Sequence, residues 1–125
     1  MRTVNKIVLV GHLGQDPELR AAKNNGRAWC TFSLATGRPR RTEDGWAEDT
    51  DWHGVKCFGP TAERCSRFLT KGSLVAVEGQ LVYEKWTDGQ GRPRTTARVI
   101  ADRVSFLGGR VAAADAPASE VLSPA

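Results

Sequence analysis

The segment TDWHGVKCFGPTAERCSRFLTKG, residues 50–72, reads as a β-strand followed by a short α-helix. Over Thr50–Gly59 the character of the side chains alternates with the two-residue period of a strand. Pro60 precedes the next stretch and Lys71-Gly72 follows it, and these residue types begin and end helices. Between them the apolar residues recur at helical spacing: Ala62, Cys65, Phe68 and Leu69. The segment therefore predicts a strand that leads directly into a helix.

Strand patterns lie on both sides of this unit. Upstream, Val4–Leu13 is β-branched and apolar on both faces in its middle, which predicts a strand covered on both faces, and Arg27–Thr36 alternates. Downstream, strands are predicted from Ser73 to about Trp86 and from Pro93 to about Leu107, with the turn Asp88-Gly89-Gln90-Gly91 between them. The predicted order is β-β-β-α-β-β, an all-β chain with one short helix. This is the order of the OB-fold, a five-stranded Greek-key barrel.

Polar stretches separate the predicted strands. Gly14–Pro17 and Lys23–Gly26 carry turn residues, and Gly37–Asp49 has no apolar period, which predicts a long loop or an exposed hairpin tip. Residues 1–110 are expected to form one domain. Residues 111–125, VAAADAPASEVLSPA, are rich in Ala, Ser and Pro and are expected to form a short disordered tail.

Composition excludes some classes of protein without choosing a partner. The chain has 125 residues, of which 40% are hydrophobic and 26% charged. It contains no run of ~20 apolar residues that could span a bilayer and no secretory signal, so a cytoplasmic chain without membrane contact is expected. Residues 1–110 hold all 18 Lys and Arg and 12 of the 14 Asp and Glu, a formal charge of +6. This basic body favours polyanions, although solubility alone also accounts for it.

No metal, cofactor or catalytic motif stands out. The cysteines, Cys30, Cys57 and Cys65, are odd in number and lack CxxC spacing, so buried free thiols are expected. His12 and His53 lie far apart in sequence and have no spaced metal partners. HExxH, GxSxG, GxGxxG and P-loop patterns are absent from the sequence. We therefore expect no cofactor and a protein that is not an enzyme.

The strand over residues 50–59 carries a pattern suited to unpaired nucleic acid. One face has two aromatic rings, a cation and a glycine: Trp52, Gly54, Lys56 and Phe58. Bases stack on aromatic rings while Lys and Arg contact phosphates, so this combination binds single strands without reading their sequence. The other face, His53, Val55 and Cys57, suits the barrel interior or a subunit contact. The opposite arrangement would bury the lysine, which is unfavourable.

Further aromatic and basic residues lie near the predicted strand ends. Trp86 ends the fourth predicted strand, beside Lys85 and close to three arginines of the following turn and strand: Arg92, Arg94 and Arg98. Three more arginines follow the second predicted strand: Arg38, Arg40 and Arg41. A basic groove with aromatic interleaving is predicted from these clusters. The roles of Trp29 and Trp46 stay open. Trp29 is a candidate for an interface residue, and Trp46 is either an exposed contact or a lid over the sheet.

A series of motifs in residues 1–110 occurs in the order of a known family. They are Val4-Asn5-Lys6, Gly11-His12-Leu13-Gly14-Gln15-Asp16-Pro17-Glu18, Leu34-Ala35-Thr36, Asp51-Trp52-His53, Phe58-Gly59, Lys71-Gly72-Ser73, Glu78-Gly79-Gln80-Leu81, Lys85-Trp86-Thr87-Asp88 and Leu107-Gly108-Gly109-Arg110. In these motifs the chain resembles the bacterial single-stranded DNA-binding proteins. The resemblance implies an OB-fold protomer of a homotetramer that coats single-stranded DNA in the cytoplasm, associated with the nucleoid, during replication, recombination and repair.

The resemblance also implies roles for individual residues. Trp52, Phe58 and Trp86 match positions at which family members stack bases. Basic positions along the DNA path are matched by four residues: Arg2, Lys6, Lys71 and Lys85. His53 and Gln80 match positions around the subunit interfaces.

The chain departs from the family pattern at several points. Arg40 stands where a fourth stacking aromatic is usual, Lys56 replaces a residue that is often apolar, and Glu84 stands where a basic residue is common. The chain ends Leu122-Ser123-Pro124-Ala125 in place of an acidic tip that recruits repair and replication proteins, which puts that recruitment in doubt. A paralogue or a mobile-element version would fit this ending. Two alternatives stay open, an OB-fold RNA-binding or primosome-associated protein and a protein-interaction module.

Overall fold

A computed structural model describes residues 1–21 and 26–108 of the chain. It contains six strands and one helix. In chain order they are β1 (Ile7–Leu13), β2 (Glu18–Ala21), β3 (Ala28–Thr42), β4 (Gly45–Phe58), α1 (Gly59–Phe68), β5 (Leu74–Thr87) and β6 (Pro93–Gly108). Residues 23–25 of the second predicted turn and the predicted tail, residues 111–125, lie outside the described residues.

Five of the strands close into a barrel. They are neighbours in the order β1–β5–β6–β4–β3, and a short pairing of β1 with β3 joins the two ends of that order. Neighbours are antiparallel except for β4 and β6, which are parallel where Val55 faces Val99. The predicted all-β barrel with a helix between its third and fourth strands is confirmed. Strand β2, which pairs with β3, was not predicted because its four residues are all exposed and show no apolar period.

The polar stretch 37–49 forms the outer part of a hairpin. Strands β3 and β4 pair without a register shift from Trp29, opposite Phe58, to Thr42, opposite Gly45. The two-residue turn between them is followed by Gly45 at φ 134°, a backbone conformation that glycine adopts most readily. Of the two alternatives for this stretch, the exposed hairpin tip is therefore confirmed. We call the paired residues 37–50 the β3–β4 arm.

The core lies inside the barrel and under the helix. The predicted inward positions Val55 and Cys57 of β4 are fully buried, as is Cys30, which lies opposite Cys57 on β3. The helix covers one end of the barrel with the buried residues Ala62 and Cys65. Phe68 shares their helical spacing but is 61% exposed, so the apolar period overstated the width of the buried stripe.

The three cysteines are buried free thiols, as predicted. The sulfur atom of Cys57 lies 3.9 Å from that of Cys65 and 3.9 Å from the carbonyl oxygen of Cys30. Hydrogen bonding with Cys30 and Cys65, together with burial, raises the pKa of the Cys57 thiol. This thiol is therefore protonated at neutral pH and packs as a small apolar side chain.

Strand β1 is covered on only one of its faces within the single chain. Ile7 and Leu9 pack against the core as predicted, whereas Val8 and Val10 are 58% and 39% exposed. The prediction that both faces of this strand are covered is therefore wrong for one protomer. Among residues 1–21 and 26–108 there is no helix with the length and hydropathy required to cross a bilayer.

Candidate nucleic-acid interface

One outer face of the barrel gathers aromatic and charged side chains from four strands. Side chains of paired residues share a face. The β3–β4 pairing therefore places Trp29 with Phe58, and the parallel β4–β6 contact places Lys56 with Ile100. From there the β5–β6 pairing extends the face to Glu84 and Trp86. We call this surface the aromatic face: Trp29, Trp52, Lys56, Phe58, Glu84, Trp86 and Arg98.

Trp52 offers an open indole ring on this face. It is 60% exposed, and its neighbour Val55 is fully buried, so the predicted orientation of β4 is confirmed. The ring lies over Gly14 in the turn after β1. A Cβ atom placed on that glycine would overlap Cζ3 of the indole and lie 2.9 Å from Oγ of Ser33. The absence of a side chain at Gly14 is therefore what lets the ring lie against the barrel.

Replacing Gly14 with alanine is expected to move the Trp52 ring and weaken binding to single-stranded DNA. The ring is mostly exposed and swings away at little cost to the fold, but a base can no longer stack on it in the same place. We expect a loss of affinity of about tenfold. Oligonucleotide titration measures it, with Gly89→Ala as the control because a Cβ there meets open space. Equal affinity of the two variants would contradict this role for Gly14.

Trp86 forms one wall of an open cleft near the turn of the β5–β6 hairpin. Its ring is 50% exposed, and its Nε1 donates a hydrogen bond of 2.8 Å to Oγ1 of Thr96. The cleft has a volume of about 660 Å³ and is lined by Glu84, Lys85, Trp86, Thr96 and Arg98. The hydrogen bond holds the indole in one orientation, which lowers the entropy that base stacking must overcome.

Phe58, the third predicted stacking residue, is half-buried beneath cations. The guanidinium of Arg27 lies 4.9 Å from the centroid of its ring. The ammonium of Lys56 lies 5.7 Å from this ring and 4.5 Å from that of Trp29, while Arg20 lies 5.9 Å from Trp29. Cations over rings stabilise both partners. A base would have to displace Arg27 to reach Phe58. Sequence reasoning missed Arg20 and Arg27, because Arg20 reaches Trp29 only through the β2–β3 pairing and Arg27 reaches Phe58 only through the β3–β4 pairing.

Glu84 neutralises two cations of the aromatic face. Its carboxylate accepts a hydrogen bond of 2.7 Å from Nε of Arg98 and lies 3.6 Å from Nζ of Lys56. All three side chains are partly shielded from solvent, with 22–37% of each exposed. The carboxylate therefore lowers the positive potential along the path between Trp52 and Trp86.

The substitution Glu84→Gln is expected to tighten binding to single-stranded DNA. Glutamine keeps an oxygen that accepts from Arg98 but removes the negative charge, so Lys56 and Arg98 both become available to phosphate. We expect a severalfold gain in affinity at low salt and a steeper salt dependence, by ~0.7 in the log–log slope for each additional phosphate contact. Titrations at several salt concentrations measure both effects. Unchanged affinity and slope would show that the DNA does not pass this carboxylate.

Two of the arginines predicted from sequence to line the groove lie on the opposite face and are bound by aspartates. Arg38 and Arg40 lie on the opposite face of the β3–β4 arm from Trp52, where they form ion pairs of 3.0 Å with Asp51 and 2.9 Å with Asp49. The hydrogen bond from Arg38 lowers the pKa of Asp51. The structure therefore does not place these two arginines with the tryptophans. Their contact with DNA remains a prediction.

Arg92 and Arg94 both bind Asp88 in the turn of the β5–β6 hairpin. Their Nε atoms lie 3.2 and 3.0 Å from Oδ2 of this aspartate, whose other oxygen accepts hydrogen bonds from the backbone N–H groups of Gln90 and Arg92. The backbone hydrogen bond from Arg92, followed by the other donors, lowers the pKa of Asp88. The carboxylate is therefore ionised at neutral pH and orders the turn while partly neutralising both arginines.

The basic positions implied by the resemblance are exposed but scattered. Lys85 alternates with Trp86 along β5, so its side chain points to the opposite face of the hairpin. Lys6 lies 3.9 Å from Glu78, a long surface ion pair. The backbone N–H of Lys71 donates to Asp16, beside the turn that carries Gly14, and Arg2 is exposed before β1. Their contacts with DNA remain predictions.

The two residues predicted at subunit interfaces differ in their surroundings. His53 is half-buried, and its Nε2 lies 2.8 Å from Oγ1 of Thr36 in a hydrogen bond. Gln80 is exposed on β5, opposite Ile100. Both roles remain predictions.

The chain is similar in sequence and in structure to known proteins of one family. Residues 4–107 match the Single-strand binding protein family. A single-stranded DNA-binding protein of Xylella fastidiosa is 40% identical over 110 residues, which are 87% of this chain and 66% of that protein. The solved structure of Plasmodium falciparum SSB in complex with ssDNA superposes with a TM-score of 0.78 at 29% identity, over 86% of this chain and 97% of that one. The family match includes nearly the whole barrel, and the chain therefore belongs to the single-strand binding protein family.

Proposed function

We propose that the chain binds and protects single-stranded DNA without reading its sequence. The observation that carries the proposal is the aromatic face, where Trp52 and Trp86 are open to solvent and Lys56 and Arg98 lie between them. Family membership supports it, and so does the structural similarity to a family member in complex with ssDNA. The proposal includes no catalytic step.

The chemistry of this face suits unpaired bases better than duplex DNA. A base stacked on an exposed indole gains about 1–3 kcal/mol, and every base has a ring face to offer, so stacking does not select a sequence. A base in a duplex is already stacked on its neighbours and cannot reach the indoles. Lys56 and Arg98 on this face would then contact the phosphates. Exposed basic residues elsewhere on the barrel are proposed to contact them along the rest of the path: Arg2, Lys6, Lys71 and Lys85.

Tryptophan fluorescence during titration with poly(dT) tests the proposal. Stacking of bases on Trp52 and Trp86 should quench their emission, and the binding constant should fall as salt rises because bound phosphates release counterions. Competition with poly(U) separates DNA binding from the RNA-binding alternative. If saturating poly(dT) neither quenches the emission nor retards the protein, the proposal fails and the interaction-module alternative gains support.

We further propose that the chain acts as a homo-oligomer, a tetramer. Val8 and Val10 present apolar surface on β1, and this strand pairs with β3 only at His12 and Leu13, which leaves most of one edge without a partner in the described chain. An apolar strand with an open edge is commonly covered by another chain. Light scattering with and without a defined oligonucleotide tests subunit number and stoichiometry together, and a monomeric mass would contradict the proposal.

The cellular role follows from the binding activity. Coating single strands suits replication, recombination and repair, and a nucleoid location in the cytoplasm is proposed with it. Fluorescent tagging of the chain in cells and exposure to DNA damage would test this location. A signal spread evenly through the cell before and after damage would contradict it.

A further inference from the structure

Trp46 is the most exposed tryptophan of the chain and lies near the tip of the β3–β4 arm. Its side chain is 70% exposed, and its cross-strand partner is Arg41. Because paired residues share a face, the indole and the guanidinium stand side by side on one surface of the arm. An exposed indole offers a large ring on which a base can stack, so the charges around it indicate whether it suits a nucleic-acid ligand.

Arg41 differs from the neighbouring arginines of the arm. Arg38 and Arg40 point to the other face and are held by Asp51 and Asp49. Arg41 is exposed, and within residues 1–21 and 26–108 its guanidinium makes no ion pair or hydrogen bond. It is therefore the arginine of this arm whose charge is fully available to a ligand.

The surface of Trp46 and Arg41 continues the aromatic face. Trp46 and Trp52 are six residues apart on one strand, and the β3–β4 register has no shift between them, so both indoles leave the same side of β4. Six residues of strand span about 20 Å. Two-stranded ribbons twist along their length, and the register keeps both indoles on the same side of the ribbon as it twists.

We propose that Trp46 and Arg41 form an outer subsite for single-stranded DNA, in which a base stacks on the indole and a phosphate pairs with the guanidinium. This inference rests on the proposed function and extends its path from the barrel onto the arm. A single strand advances ~3.4 Å per nucleotide when its bases are stacked and roughly twice that when it is extended, so about three to six nucleotides separate the outer subsite from Trp52. A strand must therefore be long enough to occupy both.

One carboxylate lies on the proposed path. Glu48 shares this side of β4 with both indoles, and its carboxylate lies over the backbone of Gly37, where a Cβ atom would be 2.8 Å from its Cδ. Its charge opposes a phosphate passing along the arm. Glu48→Gln is therefore expected to tighten binding of long strands and leave short ones unaffected.

Oligonucleotide length separates the outer subsite from the barrel. We would compare oligo(dT) of about three nucleotides, which is too short to bridge the ~20 Å between Trp52 and Trp46 even when extended, with oligo(dT) of about sixteen, within the range of site sizes of OB-folds. Trp46→Ala is expected to lower affinity for the long strand by about tenfold and to leave the short strand unchanged. Arg41→Gln should reduce the log–log salt slope for the long strand by ~0.7, the release expected from one phosphate.

Tyr83→Ala serves as the matched control. Tyr83 is an exposed aromatic, at 66%, on the side of the β5–β6 hairpin opposite Glu84 and Trp86, so its removal should not change either affinity. If wild type binds neither strand, the proposed function itself has failed. If wild type binds both and Trp46→Ala binds the long strand equally well, the outer subsite alone is refuted. A change in subunit number of Trp46→Ala by light scattering, with long-strand affinity intact, would also refute it by identifying a subunit contact.

Discussion

Replacing Trp52 and Trp86 together with alanine should nearly abolish binding of single-stranded DNA at moderate salt. Each indole stacks a base for about 2 kcal/mol, which corresponds to roughly 30-fold in affinity. The two residues lie on different hairpins and engage different bases, so their effects should add to a loss of about a thousandfold. Fluorescence anisotropy of a labelled oligo(dT) measures the binding of both single variants and the double variant.

Stability must be measured alongside binding for this double variant. Both rings are at least half exposed, so their loss should change the free energy of unfolding by no more than about 1 kcal/mol. Tyr83→Ala removes a comparably exposed ring from another face and should bind like wild type. If the double variant also binds like wild type, the aromatic face is not the DNA-binding surface, whatever the phosphate contacts contribute.

Replacing Gly79 with alanine should destabilise the barrel more than any substitution on its surface. A Cβ atom at this buried position would overlap the carbonyl oxygen of Ile100 and lie 2.8 Å from its carbonyl carbon. Both obstacles are backbone atoms of the neighbouring strand, so no side-chain rotation relieves the overlap. Ile100 also lies at the parallel contact of β6 with β4, opposite Lys56, so a shift there loosens the barrel closure. We expect a loss of about 2–3 kcal/mol in the free energy of unfolding.

Urea unfolding at fixed protein concentration measures this loss, because association of subunits shifts the apparent stability. Gly89→Ala is the control, since a Cβ there meets no atom within 4 Å and the change should be within about 0.5 kcal/mol. A Gly79→Ala variant with the stability of wild type would mean that β5 and β6 separate more easily than their register indicates.

The elements that were predicted correctly are those with a strong local period. The alternation in β4 predicted that Val55 and Cys57 face inward, and both are fully buried. The polar residues of the β3–β4 arm show no apolar period, so the sequence is equally consistent with a loop and with a hairpin tip. Pairing between strands rather than burial holds it together, and pairing depends on a partner that a single segment does not reveal. Strand β2 escaped prediction for the same reason.

The sequence predicted the exposure of some site residues correctly and the position of others incorrectly. Trp52 and Trp86 are exposed on one face, as the sequence indicated, whereas Phe58 is covered by Arg27. The sequence predicts Arg38 and Arg40 in one basic groove with the tryptophans, because they follow the strand that precedes Trp52. Their face depends on whether each residue is odd or even in the β3–β4 register, and that register places them on the other side.

Sequence by itself determined the order of the elements, the side of β4 that faces the core, and the chemistry of an aromatic and basic surface. These follow from local periods and residue types, which need no knowledge of distant neighbours. Only the tertiary structure decided which charges are available. Glu84 neutralises Lys56 and Arg98, whereas Arg41 keeps its charge beside Trp46. The physical reason is that ion pairs join residues far apart in the chain, and the strand register determines which of them meet.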